Sequence, residues 1–511
     1  MKLTNVVLSL ALVLVAQSSF GAEYIVKYKN KQALNKMAAM QTESTGLQMK
    51  SLHEAGSFVT VAIKNKKHEA RTLASIQADP NVEYVVENVT IRAFEAPVDG
   101  ENLREQYALA KVNAVKAWER AGNRGNRSVL LAVIDTGVDY RHKNLAPNMV
   151  AGYDFRDNDS DPMDQTSAQN PGHGTHCAGI VGATGVVEGG IVGLSPEVSM
   201  MPLRFLGADG SGSLEGGIKS IDYAIEHGVH VISASWGASV SPANARPLVE
   251  AIERAEKAGI IFVTAAANDG KNNDRTDVYP ANAPVSNVIT VAASNSSDTK
   301  PSWSNYGKAK VHVSAPGDAI MSTVPGDKYS NMSGTSMATP LVAGLVAFLK
   351  AQDPALTGPE VKALMQTTGT KVQIETACNC RVDAFAAVDT LLSKKAWLVP
   401  TATTLAVDAT QQVVMKNAVG AVQFESSNPA IVTVDATGLV KAVANGTATI
   451  KATDSTGAVA QSLDFNVGTS SGGSNPGEPG NPPGGGGDCP FGDEAMCQII
   501  CQIMPQAPWC Q

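Results

Sequence analysis

The 511-residue chain has no long basic run, and beyond its N-terminus no apolar run long enough to cross a bilayer. The first absence, with a net charge of −8, leaves no footing for nucleic acid. The second leaves no membrane span in a mature protein. Cysteine is scarce: of 7 in all, Cys489, Cys497, Cys501 and Cys510 crowd the C-terminal end. The glutamate that zinc proteases place between two helical histidines is missing between His173 and His176, which argues against a metal there.

At the N-terminus Lys2 precedes an apolar stretch from Val6 to Ala16, and Ser19-Phe20-Gly21 supplies small residues for a signal peptidase. Residues 1–22 read as a signal peptide, implying an exported protein, extracellular or periplasmic, where disulfides form. Residues 23–93 alternate like half-buried strands in "EYIVKYKN" and "SFVTVAIKN", predicting a small α+β unit. Polar residues with Pro97 and Gly100 make 94–105 a linker. Over 106–395 the apolar runs become short and nearly continuous ("VLLAVI", "VHVISA", "GIIFVTAA", "NVITVAA"), with helical stretches between them. That pattern predicts an α/β domain, a parallel sheet with helices on both faces. Residues 396–468 carry short strands separated by Thr437-Gly438 and Asn445-Gly446 turns, a small all-β sandwich. Residues 469–487 form a Gly/Pro/Ser linker. The tail, 488–511, holds the four clustered cysteines. They predict two disulfides with three possible connectivities, or a four-thiolate zinc site.

The chemistry gathers in four segments. "NMSGTSMATPLVAGLVAFLK" sets Ser336 at the head of a helix apolar on every side, with Pro340 expected in its first turn. A helix head offers unpaired N–H groups and positive partial charge. "VLLAVIDTGVD" is a buried strand ending at Asp135, and "GHGTHCAGIVGA" holds His173 between glycines. "IIFVTAAANDG" puts Asn268 just past another buried strand, where its amide can donate to a developing negative charge. Taken singly, each is also what a capping acid, a structural histidine or a turn former looks like.

Together "AVIDTGVD", "GHGTHCAG" and "GTSMATPLVAG", in that order, resemble the three active-site motifs of the subtilisin-like serine proteases, the subtilases. The resemblance runs from about residue 106 to 392. It implies a serine endopeptidase with Asp135, His173 and Ser336 as the triad and Asn268 in the oxyanion hole. Gly210, Ser211 and Gly212 would pair with an extended peptide substrate as an added strand. Ser235, Trp236, Gly237, Ala266 and Ala267 would line the other side. Trp236 stands where an aliphatic residue is more usual, and Ala267 where glycine is; both alter the side-chain pockets. Cys177 resembles the cysteine that packs beneath the catalytic histidine in thiol-containing subtilases. "RDNDSDPMD" resembles a calcium loop, giving Asp157, Asp159, Asp161 and Asp164 as ligands of a structural calcium, whereas Asn144 replaces an aspartate of another family calcium site. Cys378 and Cys380, one residue apart, stay unassigned. Residues 23–93 resemble a subtilase propeptide that folds on the catalytic domain, inhibits it and is removed by self-cleavage between Asn88 and Tyr107. The sandwich resembles a group 2 bacterial immunoglobulin-like domain, usually a spacer or surface-binding module. The rival reading is an exported surface-binding protein with an inactive protease fold.

Overall fold

The computed structural model describes residues 22–39, 47–63, 69–94 and 106–468. The chain divides into two units, Met1–Ser471 and Gly472–Gln511, and the described residues all lie in the first. The signal peptide read at 1–22 (except residue 22), the linker read at 94–105 (except Phe94), the 469–487 linker and the tail cysteines lie outside the described residues.

The centre of the first unit is a nine-stranded sheet. From one edge it runs Thr370–Lys371, Cys380–Arg381, Val313–Pro316, Val288–Ser294, Ile261–Ala265, Val231–Ala234, Leu130–Asp135, Ser199–Arg204, Tyr153–Asp154. All neighbours pair in parallel except the edge strand Thr370–Lys371. The continuous apolar runs have a simple cause: alternate residues enter two different cores. Leu131 and Val133 join one apolar cluster, Ala132 and Ile134 the other. Val263 and Phe262 divide the same way. Helices His173–Gly182 and Thr335–Gln352 belong to the first core, Leu214–Glu226 and Pro242–Lys257 to the second.

Residues 22–94 form an antiparallel sheet, ordered Leu47–His53, Phe58–Ile63, Glu23–Tyr28, Val82–Glu87, with helices Lys31–Ala39 and Glu69–Gln77. One face builds a private core of Val26, Leu34, Val59, Val61, Ile76 and Val82. The other face sends Ile25, Phe58 and Val86 into the second core of the large sheet. Polar contacts fix this docking on the two helices Leu214–Glu226 and Pro242–Lys257. Glu250 receives Lys27 Nζ at 2.9 Å and Tyr84 Oη at 3.0 Å, and Asp222 lies between His53 Nε2 at 2.5 Å and Arg254 Nη2 at 2.7 Å.

Residues beyond 400 make short, mostly antiparallel strands around Leu398, Val413, Val440, Ile450 and Phe465. Just past the expected 395/396 division one large side chain reaches back into the α/β domain. Trp397, 1% exposed, is buried in the core of the α/β domain, while its neighbour Leu398 is buried in the sandwich core. A strand points successive side chains to opposite faces, and Trp397–Val399 uses that alternation to serve two cores.

Candidate active site

Asp135 ends the strand Leu130–Asp135, and His173 opens the helix His173–Gly182. Both are buried. His173 Nδ1–H donates to Asp135 Oδ1 at 2.6 Å, and Thr136 N–H donates to the same oxygen at 2.7 Å. With Nδ1 committed to the carboxylate, Nε2 is the nitrogen available to exchange a proton. Ser336 is the second residue of the helix Thr335–Gln352.

Pro340 lies six residues into this helix, not in its first turn. It has no N–H to give the carbonyl four residues back, which is that of Ser336. Two side chains take that place: Ser235 Oγ donates to Ser336 O at 2.9 Å, and the Cys177 thiol lies 3.5 Å from it. Cys177 is buried beneath the pair, its sulfur within 4.8 Å of ligand atoms of Asp135 and His173. The substituent most typical of a helix break thus fixes the backbone of the serine through residues from two other segments.

Asn268 follows the strand Ile261–Ala265, and Thr335 sets its direction. Thr335 N–H and Oγ1–H both donate to Asn268 Oδ1 at 2.9 Å. The Nδ2 of Asn268 is then buried with no hydrogen-bond partner among the described residues. A buried donor left open asks for an acceptor from a ligand. The point it faces is marked by Gly334, where a Cβ would lie 3.2 Å from Asn268 Nδ2, 3.4 Å from Ser336 N and 3.0 Å from Phe94 O. Gly334 thus borders the Asn268 amide, the Ser336 N–H and the Phe94 carbonyl oxygen together.

That oxygen belongs to the strand Thr90–Ala93 and its next residue, which fill the cleft. Thr90, Ile91 and Arg92 pair antiparallel with Ser213, Gly212 and Ser211, and Ala93 N–H donates to Gly210 O at 3.0 Å. On the other side Ala93 and Arg92 face Trp236 and Gly237, and Phe94 N–H donates to Ser235 O at 3.2 Å. The Phe94 ring packs on Ala267, Val278 and Ala281. A side chain at Gly237 would meet the ring 2.7 Å away. Ala267 keeps a positive φ of 89°, a backbone region that costs a residue with a Cβ. Ala266 gives no methyl to this pocket; it packs with Ala292, Val311 and Ile374. The Trp236 indole is buried, donates to Ile134 O at 2.8 Å and lies edge-on to Phe205. It shares its cluster with Ile91, three residues before Phe94.

The four loop carboxylates do not converge on a cation. Among the described residues only Asp135, His173 and Cys177 form a group of three or more such ligands within 4.8 Å of one another. Asp157 is taken by Arg204 Nη1 at 2.6 Å, and Asp161 accepts from Tyr140 Oη at 2.8 Å. Asp159 Oδ1 accepts from Asp161 N–H at 2.8 Å. Asp164 is buried away from the others. It accepts from Thr136 Oγ1 (2.9 Å), Asn170 Nδ2 (3.1 Å), and Thr175 N (2.9 Å) and Oγ1 (2.6 Å). Burial pushes its carboxyl up to about 6, against the pull of these donors. Thr136 adjoins Asp135, and Asn170 Oδ1 in turn accepts from His173 N–H at 2.8 Å, so Asp164 ties together the two segments carrying the acid and the imidazole. Asn144 is occupied by Thr184, Gly185 and Ile191. His176 is a structural histidine: its Nε2 faces Ile320 O and Ser330 O, and burial pushes its pKa down to about 3. Cys378 and Cys380 form a disulfide.

A buried Asp–His pair, a serine at a helix head and an open buried amide are the parts a serine peptidase site requires. Residues 126–382 match the subtilase family, and residues 394–464 match the group 2 bacterial Ig-like domain. The chain is 39% identical to thermitase of Thermoactinomyces vulgaris over 267 residues, 52% of this chain and 89% of that protein. It is 38% identical over 298 residues to the thermophilic serine proteinase of Bacillus sp. (strain AK1), 58% and 70% respectively. It is 31% identical to subtilisin E of Bacillus subtilis (strain 168) over 360 residues, 69% and 87%. The chain belongs to the subtilase family and is a serine endopeptidase acting on proteins, with a bacterial Ig-like domain behind its catalytic domain.

Proposed function

We propose that this endopeptidase is made as an exported, self-processing zymogen whose triad is Asp135, His173 and Ser336. Ser336 Oγ attacks the substrate carbonyl carbon as His173 takes its proton. The imidazolium then delivers that proton to the leaving amine, and a water activated by the same histidine hydrolyses the acyl-enzyme. Asp135 holds the tautomer and stabilises the charged ring. The observation that carries this reading is the 2.6 Å His173–Asp135 bond, reached from Ser336 through Cys177, whose sulfur lies 3.5 Å from Ser336 O, together with the open Asn268 amide. Asn268 Nδ2 and Ser336 N–H receive the oxyanion, each donor being worth about 10²–10³ in turnover.

Residues 23–93 act as the inhibitor of the same chain. Their docking on two helices of the catalytic domain, and the strand Thr90–Ala93 lying in the cleft, support this. Export follows from the N-terminal Lys2 and the apolar stretch after it. Expression of the wild type beside Ser336→Ala tests the whole reading. The wild type loses its N-terminal unit and digests casein; Ser336→Ala stays full length and inert. A folded wild type that never cuts casein, or a Ser336→Ala chain that still does, would overturn it.

A further inference from the structure

We infer that the bond this enzyme cuts in its own chain is Phe94–Glu95. This rests on the self-processing reading above and specifies its site. The cleft holds five consecutive residues in a substrate's register. Thr90–Ala93 is the middle strand of a three-stranded sheet, bonded on one side to Ser211–Ser213 and on the other to Trp236–Gly237. That arrangement leaves no freedom to slide by one residue, because a slip turns every side chain to the opposite face. The faces are unequal here. Ile91 is 1% exposed among Phe205, Leu206, Leu214 and Trp236, while Thr90 and Arg92 point to solvent. A one-residue shift would bury Arg92 where Ile91 lies, at the cost of an unpaired charge in an apolar pocket.

Fixing Ile91 fixes Phe94. Its N–H bonds Ser235 O, its ring fills the space left by Gly237, and Ser336 Oγ donates to its carbonyl oxygen. The same oxygen, the Asn268 amide and Ser336 N–H all border the small space kept open by Gly334. Of the residues between Asn88 and Phe94, this is the carbonyl presented to the nucleophile. In the step, Ser336 Oγ bonds the Phe94 carbonyl carbon and its proton passes to His173. The bond from Phe94 C to Glu95 N breaks as His173 returns the proton to that nitrogen. Water then hydrolyses the Phe94 ester, giving a Phe94 carboxylate and restoring the Ser336 hydroxyl.

The test is N-terminal sequencing and intact-mass measurement of the wild-type chain during maturation, with Ser336→Ala, Phe94→Asp and Phe94→Leu beside it. The expected first new N-terminus is Glu95, absent from purified Ser336→Ala. Phe94→Asp should slow its appearance about a hundredfold, because the apolar pocket rejects a charge, and Phe94→Leu should leave it within a few fold. A Ser336-dependent first cut at another bond overturns the assignment while leaving self-processing intact. A cut after Phe94 that appears equally in purified Ser336→Ala overturns self-processing instead. If Phe94→Asp fails to fold, the wild-type terminus and the Phe94→Leu rate still decide the matter.

Discussion

A single methyl group at residue 334 should disable catalysis, with a modest loss of stability because the backbone there (φ 159°, ψ 159°) favours glycine. In Gly334→Ala the new Cβ would lie 3.0 Å from the oxygen of Phe94, 3.2 Å from Asn268 Nδ2 and 3.4 Å from Ser336 N. An oxyanion needs its donors at roughly 2.7–3.1 Å. The methyl leaves two escapes: the substrate oxygen moves away from Asn268, or the Asn268 amide turns aside from its anchor on Thr335. Either forfeits about one donor, which corresponds to a 10²–10³-fold loss in turnover, about 2.7–4 kcal/mol. Asn268→Ala should lose a similar amount, and the double variant scarcely more than either, because both remove one interaction. The assay is kcat and KM on a peptide carrying Phe before the cleaved bond. Each variant is first matured by a trace of immobilised wild type. Thermal unfolding measured in parallel reports on the fold. Wild-type kcat in Gly334→Ala would refute the placement of the oxyanion between Asn268 and Ser336. So would full additivity of the two substitutions.

Asp164 carries a pH dependence of defined sign. Its folded-state value, about 6, lies above the ordinary 3.8, so its contribution to stability is fully present below pH 3.8 and lost as pH rises through about 6. Two pH units correspond to at most about 3 kcal/mol. In the inactive Ser336→Ala background, Asp164→Asn should flatten the melting-temperature profile between pH 4 and 7; a steeper profile would refute the raised value. An organomercurial should inactivate the wild type by entering between Cys177 and His173, and Cys177→Ala should resist it. Full activity after verified labelling of Cys177 would count against that packing. Trp397→Ala should destabilise the peptidase domain by about 3–5 kcal/mol, read as a lower inactivation temperature on peptide substrates. An unchanged temperature would place the indole outside that core.

The parts legible in sequence were those whose chemistry is local. Strands buried on both faces declare themselves by unbroken apolar runs, and "VLLAVI" and "GIIFVTAA" became central strands. Asp135 ends such a strand, Asn268 follows one, and His173 and Ser336 stand at the heads of buried helices, which is why their motifs read clearly. The family resemblance pointed to 210–212 as backbone for an added strand and to 235–237 as the lining opposite; in the structure Thr90–Ala93 lies between them. What escaped depends on partners far along the chain. Thr335 holds Asn268 across 67 residues, and Ser235 holds the Ser336 carbonyl across 101. One local clue to the second was available: a proline four residues after a serine leaves that serine's carbonyl in need of another donor. Asp164 was grouped with its exposed neighbours because a run of acids looks uniform in sequence; only the fold shows that Thr136, Asn170 and Thr175 enclose it. Near 395/396 the composition changes while the side-chain alternation of the strand runs on. Trp397 is adjacent to the sandwich in sequence and belongs to the other core in space.

That tryptophan also decides how force travels. A tension applied at the far end of the sandwich passes through its strands to Leu398, and the next residue is already anchored in the core that holds the Ser336 helix. No slack chain separates the two. A load on the immunoglobulin-like domain would therefore be felt by the peptidase domain directly, and the pair should yield to pulling as coupled bodies rather than as a bead on a loose string.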